Sequence, residues 1–171
     1  MQQMSGLPEK RVTGDIPPFS NSGVNYFGPF YAKQGRKQLK RYGVIFSCMS
    51  SRAIHIEVSH SLDTDSFINS LWRFVSRRGN VRSLTSDNGT NMVGSDRELR
   101  RAIDSWNNSK IGNYLKQNYI EWNFNTPLSS HFGGFFEREI RSIRQVFTSM
   151  MNQQNIILTD EELLTLSLIH I

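Results

Sequence analysis

A single cysteine, Cys48, stands in the whole sequence, which excludes an internal disulfide and a Cys-rich zinc site. Its place in the apolar run Val44 to Met49 reads as a buried small hydrophobe in a reducing compartment. No apolar stretch approaches the ~20 residues of a membrane helix. Met1 to Lys10 lacks the apolar core of a signal peptide, so the chain reads as intracellular with no targeting signal. Internal repeats and low-complexity tracts are missing as well. The absence with the largest consequence is a carboxylate. Two acidic motifs, Ser86-Asp87-Asn88-Gly89-Thr90-Asn91 and Gly133-Gly134-Phe135-Phe136-Glu137-Arg138, place Asp87 and Glu137 at element ends facing a common cleft. The upstream strand Gly23 to Phe30, where a third acid belongs, offers only Asn25 as a polar inward candidate.

What is present is enough for one domain: 171 residues can bury about two thirds of the surface of the unfolded chain. Twenty Lys and Arg against fifteen Asp and Glu give a net charge of +5, which favours a polyanionic partner. Residues 1–19 are poor in apolar side chains and contain Pro8, Pro17 and Pro18, the composition of an extended lead-in to a core domain over 20–171.

Three strand-like runs, Gly23 to Ala32, Arg41 to Met49 and Ala53 to Ser59, are joined by short turns and imply an antiparallel meander. In the third, Ile54, Ile56 and Val58 alternate with His55, Glu57 and Ser59, the pattern of a strand with one covered face. Thr64 caps a helix carrying Phe67, Ile68, Leu71, Trp72 and Val75 that stops at Arg77-Arg78-Gly79. A strand over Val81 to Thr85 follows as a parallel crossover. Ser95 and Glu98 have capping-box spacing before Leu99, Ile103 and Trp106. A short helix over Lys110 to Gln117 and a strand over Ile120 to Phe124 come next. A long helix from about Gly134 to Asn152 carries Phe136, Ile140, Ile143, Val146, Phe147 and Met150 on its apolar side, and a last helix begins at Thr159 with Glu162 as capping partner. Trp72, Trp106 and Trp122 read as core. The fold class is α/β: a mixed five-stranded sheet, three antiparallel strands then two parallel, flanked by helices in an RNase H-like layout.

With these residues in view, the chain resembles the integrase catalytic core of BEL/Pao-type LTR retrotransposons, a branch of the retroviral integrase superfamily. Over roughly Met4 to Thr165 the likeness rests on Gly6-Leu7-Pro8-Glu9-Lys10-Arg11-Val12, Pro17-Pro18-Phe19, Gly23-Val24-Asn25-Tyr26-Phe27-Gly28-Pro29-Phe30 and Arg41-Tyr42-Gly43-Val44-Ile45-Phe46. It continues through Ser51-Arg52-Ala53-Ile54-His55-Ile56-Glu57-Val58, Leu62-Asp63-Thr64-Asp65-Ser66-Phe67 and the Asp87 motif. Each stretch is weak by itself; their order over one domain is the signal.

The resemblance implies a D,D,E site that uses two Mg2+ or Mn2+ ions to process the ends of double-stranded element DNA and join them to target DNA. By motif the metal ligands are Asp87 and Glu137, with Asn25 in the position of the first catalytic Asp. Hard cations want anionic oxygens, and one neutral amide oxygen cannot bridge two of them. Impaired catalysis is therefore expected of this copy. Glu57 and Asp15 have no spacing that would set them beside Asp87 as replacements.

Arg141 and Arg144 share a helix face with Glu137; the resemblance makes them DNA contacts, while the bland reading is a solvated charged face. His131, in the loop before Glu137, is assigned to the approach of a phosphate on the same ground. Lys37 and Lys40, with Lys33, Arg36 and Arg41, cluster on one hairpin, where they either contact phosphates or protect an exposed edge. The resemblance further implies a homo-oligomer that acts in the nucleus, and a His/Cys zinc module upstream. After Thr165 the sequence departs from the pattern, so a truncated fragment is expected. The competing readings are a catalytically silent nucleic-acid-binding or protein-interaction module and a sister nuclease that cuts without joining.

Overall fold

The computed structural model describes residues 15–79, 81–86, 97–124, 138, 141–143, 145, 146, 149, 150 and 157–169. The strands are β1 (Asn21–Gln34), β2 (Lys37–Cys48), β3 (Ile54–Ser59), β4 (Ser83–Ser86) and β5 (Glu121–Phe124). The helices are α1 (Thr64–Arg78), α2 (Arg97–Asp104), α3 (Asn108–Gln117) and α4 (Asp160–Ile169). Further helical positions lie at 138, 141–143, 145, 146, 149 and 150.

One sheet in the order β3-β2-β1-β4-β5 organises these elements. β1 pairs antiparallel with β2, and β2 with β3. β4 joins β1 in parallel, and β5 joins β4 in parallel. The expected mixed sheet is therefore present, with β1 at its centre.

Alternation along the strands sorts residues between two faces. On one face Val24, Tyr26, Val44, Phe46 and Leu84 pack under Phe67, Leu71 and Phe74 of α1 and Ile111 and Leu115 of α3. On the other, Phe27, Ile45 and Ile56 pack with Ile143, and Ala32 and Val58 with Leu158 and Leu163. A bulge between Phe27 and Phe30 resets the alternation of β1, so that odd positions before it and even positions after it share the second face. The Gly28-Pro29 peptide within that bulge is cis. Close packing also explains Gly43: a Cβ there would come within 2.0 Å of the Phe27 ring, the residue opposite it in register.

Several local expectations need correction. Asp63, not Thr64, caps α1, its Oδ1 accepting from the Ser66 N–H at 2.7 Å. The stop at Gly79 stands, with φ +60 and its N–H donating to Val75 at 2.8 Å. Trp72 is 63% exposed, because the buried positions of α1 are Phe67, Ser70, Leu71 and Phe74. Trp106 is buried as expected and donates from its indole to the Leu62 carbonyl. Val146 is exposed while Ile143 is buried, and Phe136, Ile140 and Phe147 lie outside the described residues. Ser95 and its capping role lie outside the described residues. Thr159 and Glu162 form the expected reciprocal cap of α4. Among the described residues no helix is long and apolar enough to cross a membrane.

Candidate nucleic-acid-processing site

Asn25 lies on the central strand with only 7% of its surface exposed. It stands opposite Ile45 in the antiparallel ladder and, by alternation with Val24 and Tyr26, on the face of Phe27, Ile45, Ile56 and Ile143. On its other side the last rung of the parallel ladder sets Val24 opposite Ser86, at the C-terminal end of β4. The face that carries Asn25 is thus the one covered by the helical run containing Ile143. Asp87, Glu137, His131 and Arg144 lie outside the described residues.

The side-chain oxygen of Asn25 is already engaged: Oδ1 accepts from the backbone N–H of Tyr26 at 2.9 Å. A divalent hard cation requires several oxygens, preferably anionic. One engaged neutral oxygen does not fit the part of a bridging ligand. Among the described residues no group of three or more His, Cys, Asp or Glu side chains could hold a metal ion.

The cations differ in what they touch. Arg41 grips Asp160 at the start of α4 through two parallel hydrogen bonds of 2.7 and 2.8 Å, which raises the pKa of the guanidinium and lowers that of the carboxylate. Lys40 pairs with Glu98 of α2 at 3.1 Å in an exposed salt bridge. Lys37 is exposed at the start of β2, and Arg141 is exposed on the helical run.

Sequence reasoning missed a buried charge network on β3. His55 and Glu57 were expected on an uncovered face, yet both are fully buried. β3 is covered on both sides because α1 lies over its second face. Glu57 receives His55 Nε2 at 2.7 Å, Arg73 Nε at 2.8 Å and Arg77 Nη1 at 2.5 Å. Arg78 Nε donates to His55 Nδ1 at 3.2 Å, which leaves Nε2–H to donate to Glu57. Burial pushes the Glu57 carboxyl up, but the hydrogen bonds from His55 and Arg73 and the charge of Arg77 outweigh it and hold the pKa below the ordinary glutamate value. The available signal was Arg73 and Arg77, four residues apart on one helix face with no acid beside them in α1.

This network also answers whether Glu57 could replace the absent carboxylate. Glu57 pairs across Val44, and Asn25 across Ile45, so the two side chains leave opposite faces of the sheet. Its three hydrogen bonds, from His55, Arg73 and Arg77, keep it there.

No protein-family model matches the chain, and no curated protein matches its sequence. Among solved structures it is similar to a chain of the simian T-cell lymphotropic virus intasome in complex with PP2A regulatory subunit B56 gamma, at 13% identity and a TM-score of 0.60. That match covers 97% of this chain and 52% of the other, so the chain spans about half of its neighbour's length. It is also similar to the HTLV-2 integrase catalytic core domain in complex with magnesium. The dimeric form matches at 14% identity and TM-score 0.59 over 90% of this chain and 85% of that one. The trimeric form matches at 13% identity and TM-score 0.54 over 81% and 75%. The fold is therefore the RNase H-like α/β fold of integrase catalytic cores.

Proposed function

We propose that this chain is the catalytic core of a retroelement integrase of the BEL/Pao type, acting on double-stranded DNA, with catalysis impaired in this copy by Asn25. The observation that carries the reading is the corner of the sheet where Asn25 sits. The parallel β1–β4 ladder ends with Val24 opposite Ser86, which in the sequence immediately precede Asn25 and Asp87. The same face is covered by Ile143, a helical position six residues after Glu137 in the sequence. In such a site Asp87 and Glu137 would hold Mg2+ or Mn2+, which supplies charge neutralisation for phosphoryl transfer. Lys37, Arg141, Arg144 and His131 would contact DNA, while Lys40 is held by Glu98, and the chain would work as a homo-oligomer in the nucleus. If the first carboxylate contributed even ~3 kcal/mol in the transition state, its replacement by Asn would slow the reaction ~100-fold.

The test is DNA nicking and end joining in Mg2+ and in Mn2+, comparing the chain with Asn25→Asp. Activity confined to the Asp variant supports the reading. Equal activity of the two would sink the assignment of position 25.

A second reading, a silent nucleic-acid-binding module on the same fold, is favoured by the closure of the Asn25 amide onto the Tyr26 backbone. It predicts salt-sensitive duplex binding and no metal-dependent cleavage by either variant.

A further inference from the structure

Between Asp15 and Glu57 the chain has no acidic residue and six cations, Lys33, Arg36, Lys37, Lys40, Arg41 and Arg52. Five of them belong to the β1–β2 hairpin, and the structure divides these five by what they already hold. Arg41 is bound to Asp160 and Lys40 to Glu98, so both brace the base of the hairpin against helices. Lys33, Arg36 and Lys37 are exposed and have no ion-pair partner among the described residues. Tyr31 accompanies them, 49% exposed although it lies within a paired strand. The alternation after the bulge sets Tyr31 and Lys33 on one face, opposite Lys40 and Gln38.

The backbone of Lys33 donates to the Leu158 carbonyl, which brings the acidic first turn of α4 alongside. Asp160 and Glu162 of that turn are engaged by Arg41 and Thr159, leaving Glu161 exposed. Three cations without an ion-pair partner among the described residues, against one exposed carboxylate, make a local excess of positive charge. Tyr31, on the face of Lys33, adds an exposed phenol ring, an apolar plane that simple counter-ions would not use, while Lys37, opposite Gln34, lies on the other face of the hairpin.

A nucleic-acid strand answers both features, offering phosphates to the cations and a sugar or base to the ring. We propose that the hairpin tip, formed by Tyr31, Lys33, Arg36 and Lys37, is a sequence-independent grip on nucleic acid. It is separate from the Asn25 corner, from which Tyr31 lies roughly 20 Å along β1 at ~3.3 Å per residue. The grip rests on the reading of this chain as a DNA-acting core, and adds to it a second contact away from the reacting centre.

Fluorescence anisotropy on a 20-base-pair duplex and on its single strand, in a salt series without metal, tests this. The full chain is compared with Lys33→Gln/Arg36→Gln/Lys37→Gln, with Lys40→Gln and with Tyr31→Ala, each shown by thermal melting to be folded. The triple variant should lose on the order of tenfold or more in affinity at 0.1 M salt, and the slope of log K against log salt should shrink by about 3. Lys40→Gln should change the slope by well under 1, roughly. Tyr31→Ala should weaken binding about fivefold or more with the slope intact, most on the single strand. A triple variant with unchanged affinity and slope overturns the grip and leaves the DNA-acting reading standing. No nucleic-acid binding by the unmodified chain removes both. Equal binding of polyglutamate, lost in the triple variant, overturns the proposal in favour of an acidic protein partner.

Discussion

Glu57 and Asn25 are both polar, both buried and lie two strands apart in one sheet, yet their surroundings are opposite. Glu57, beneath α1, is a charge answered by three donors: His55, Arg73 and Arg77 all reach it. Asn25, on the other face, is an uncharged group whose acceptor is turned onto the next backbone N–H. Burying a carboxylate is tolerable only where cations compensate it, and among the described residues no cation contacts Asn25. The difference teaches that the α1 face is built as a permanent scaffold. Among the described residues nothing would compensate an acid at position 25, which a metal ion could.

The comparison can be broken most severely from the Glu57 side. Arg73→Ala together with Arg77→Ala leaves a buried carboxylate facing only His55, and should cost about 3–5 kcal/mol in chemical denaturation; a loss below about 1 kcal/mol would mean the network is dispensable. Asn25→Asp sharpens the contrast. Without metal the new carboxylate should lower stability by about 1–3 kcal/mol. If position 25 joins a metal site, millimolar Mg2+ should restore roughly 1–2 kcal/mol of that, and should do nothing for the unmodified chain. A metal-independent melting temperature in both variants would argue against the site.

Gly43→Ala should destabilise by about 1–2 kcal/mol, because the Phe27 ring that packs beside Asn25 must leave its place; an unchanged melt would show that the ring yields freely. The smallest effect concerns pH. The Glu57 and Asp160 carboxyls are held below their ordinary values of 4.5 and 3.8. Their stabilisation is therefore full above those values and is lost as the pH falls through the lower folded-state pKa. Acid titration of stability should show a limb beginning near pH 4.5, weakened in the Arg73→Ala/Arg77→Ala variant.

Much of this was legible beforehand, for reasons that particular residues make plain. Alternating Ile54, Ile56 and Val58, the Gly79 stop and the Thr159-Glu162 cap are local signals, and each element formed close to where they point. Trp72 misled because helical spacing of apolar residues does not say how wide the buried stripe is. His55 and Glu57 misled because alternation reveals one covered face and is silent about a helix that arrives from elsewhere in the chain. Of the candidate site, Asn25 is a buried residue on the central strand, as its motif implied, while Asp87 and Glu137 remain assignments by resemblance.

Local patterning, a distance of a few residues, was enough for this sequence to determine its elements, their order and the poverty of acid at position 25. Only tertiary structure decided which cations are spent and which are available. Arg41 and Lys40 differ from Lys33, Arg36 and Lys37 through partners that lie 119 and 58 residues away. Electrostatic interactions between exposed groups fade over about 8–10 Å at physiological salt. What a charge can do is therefore set by folded neighbours, not by sequence neighbours.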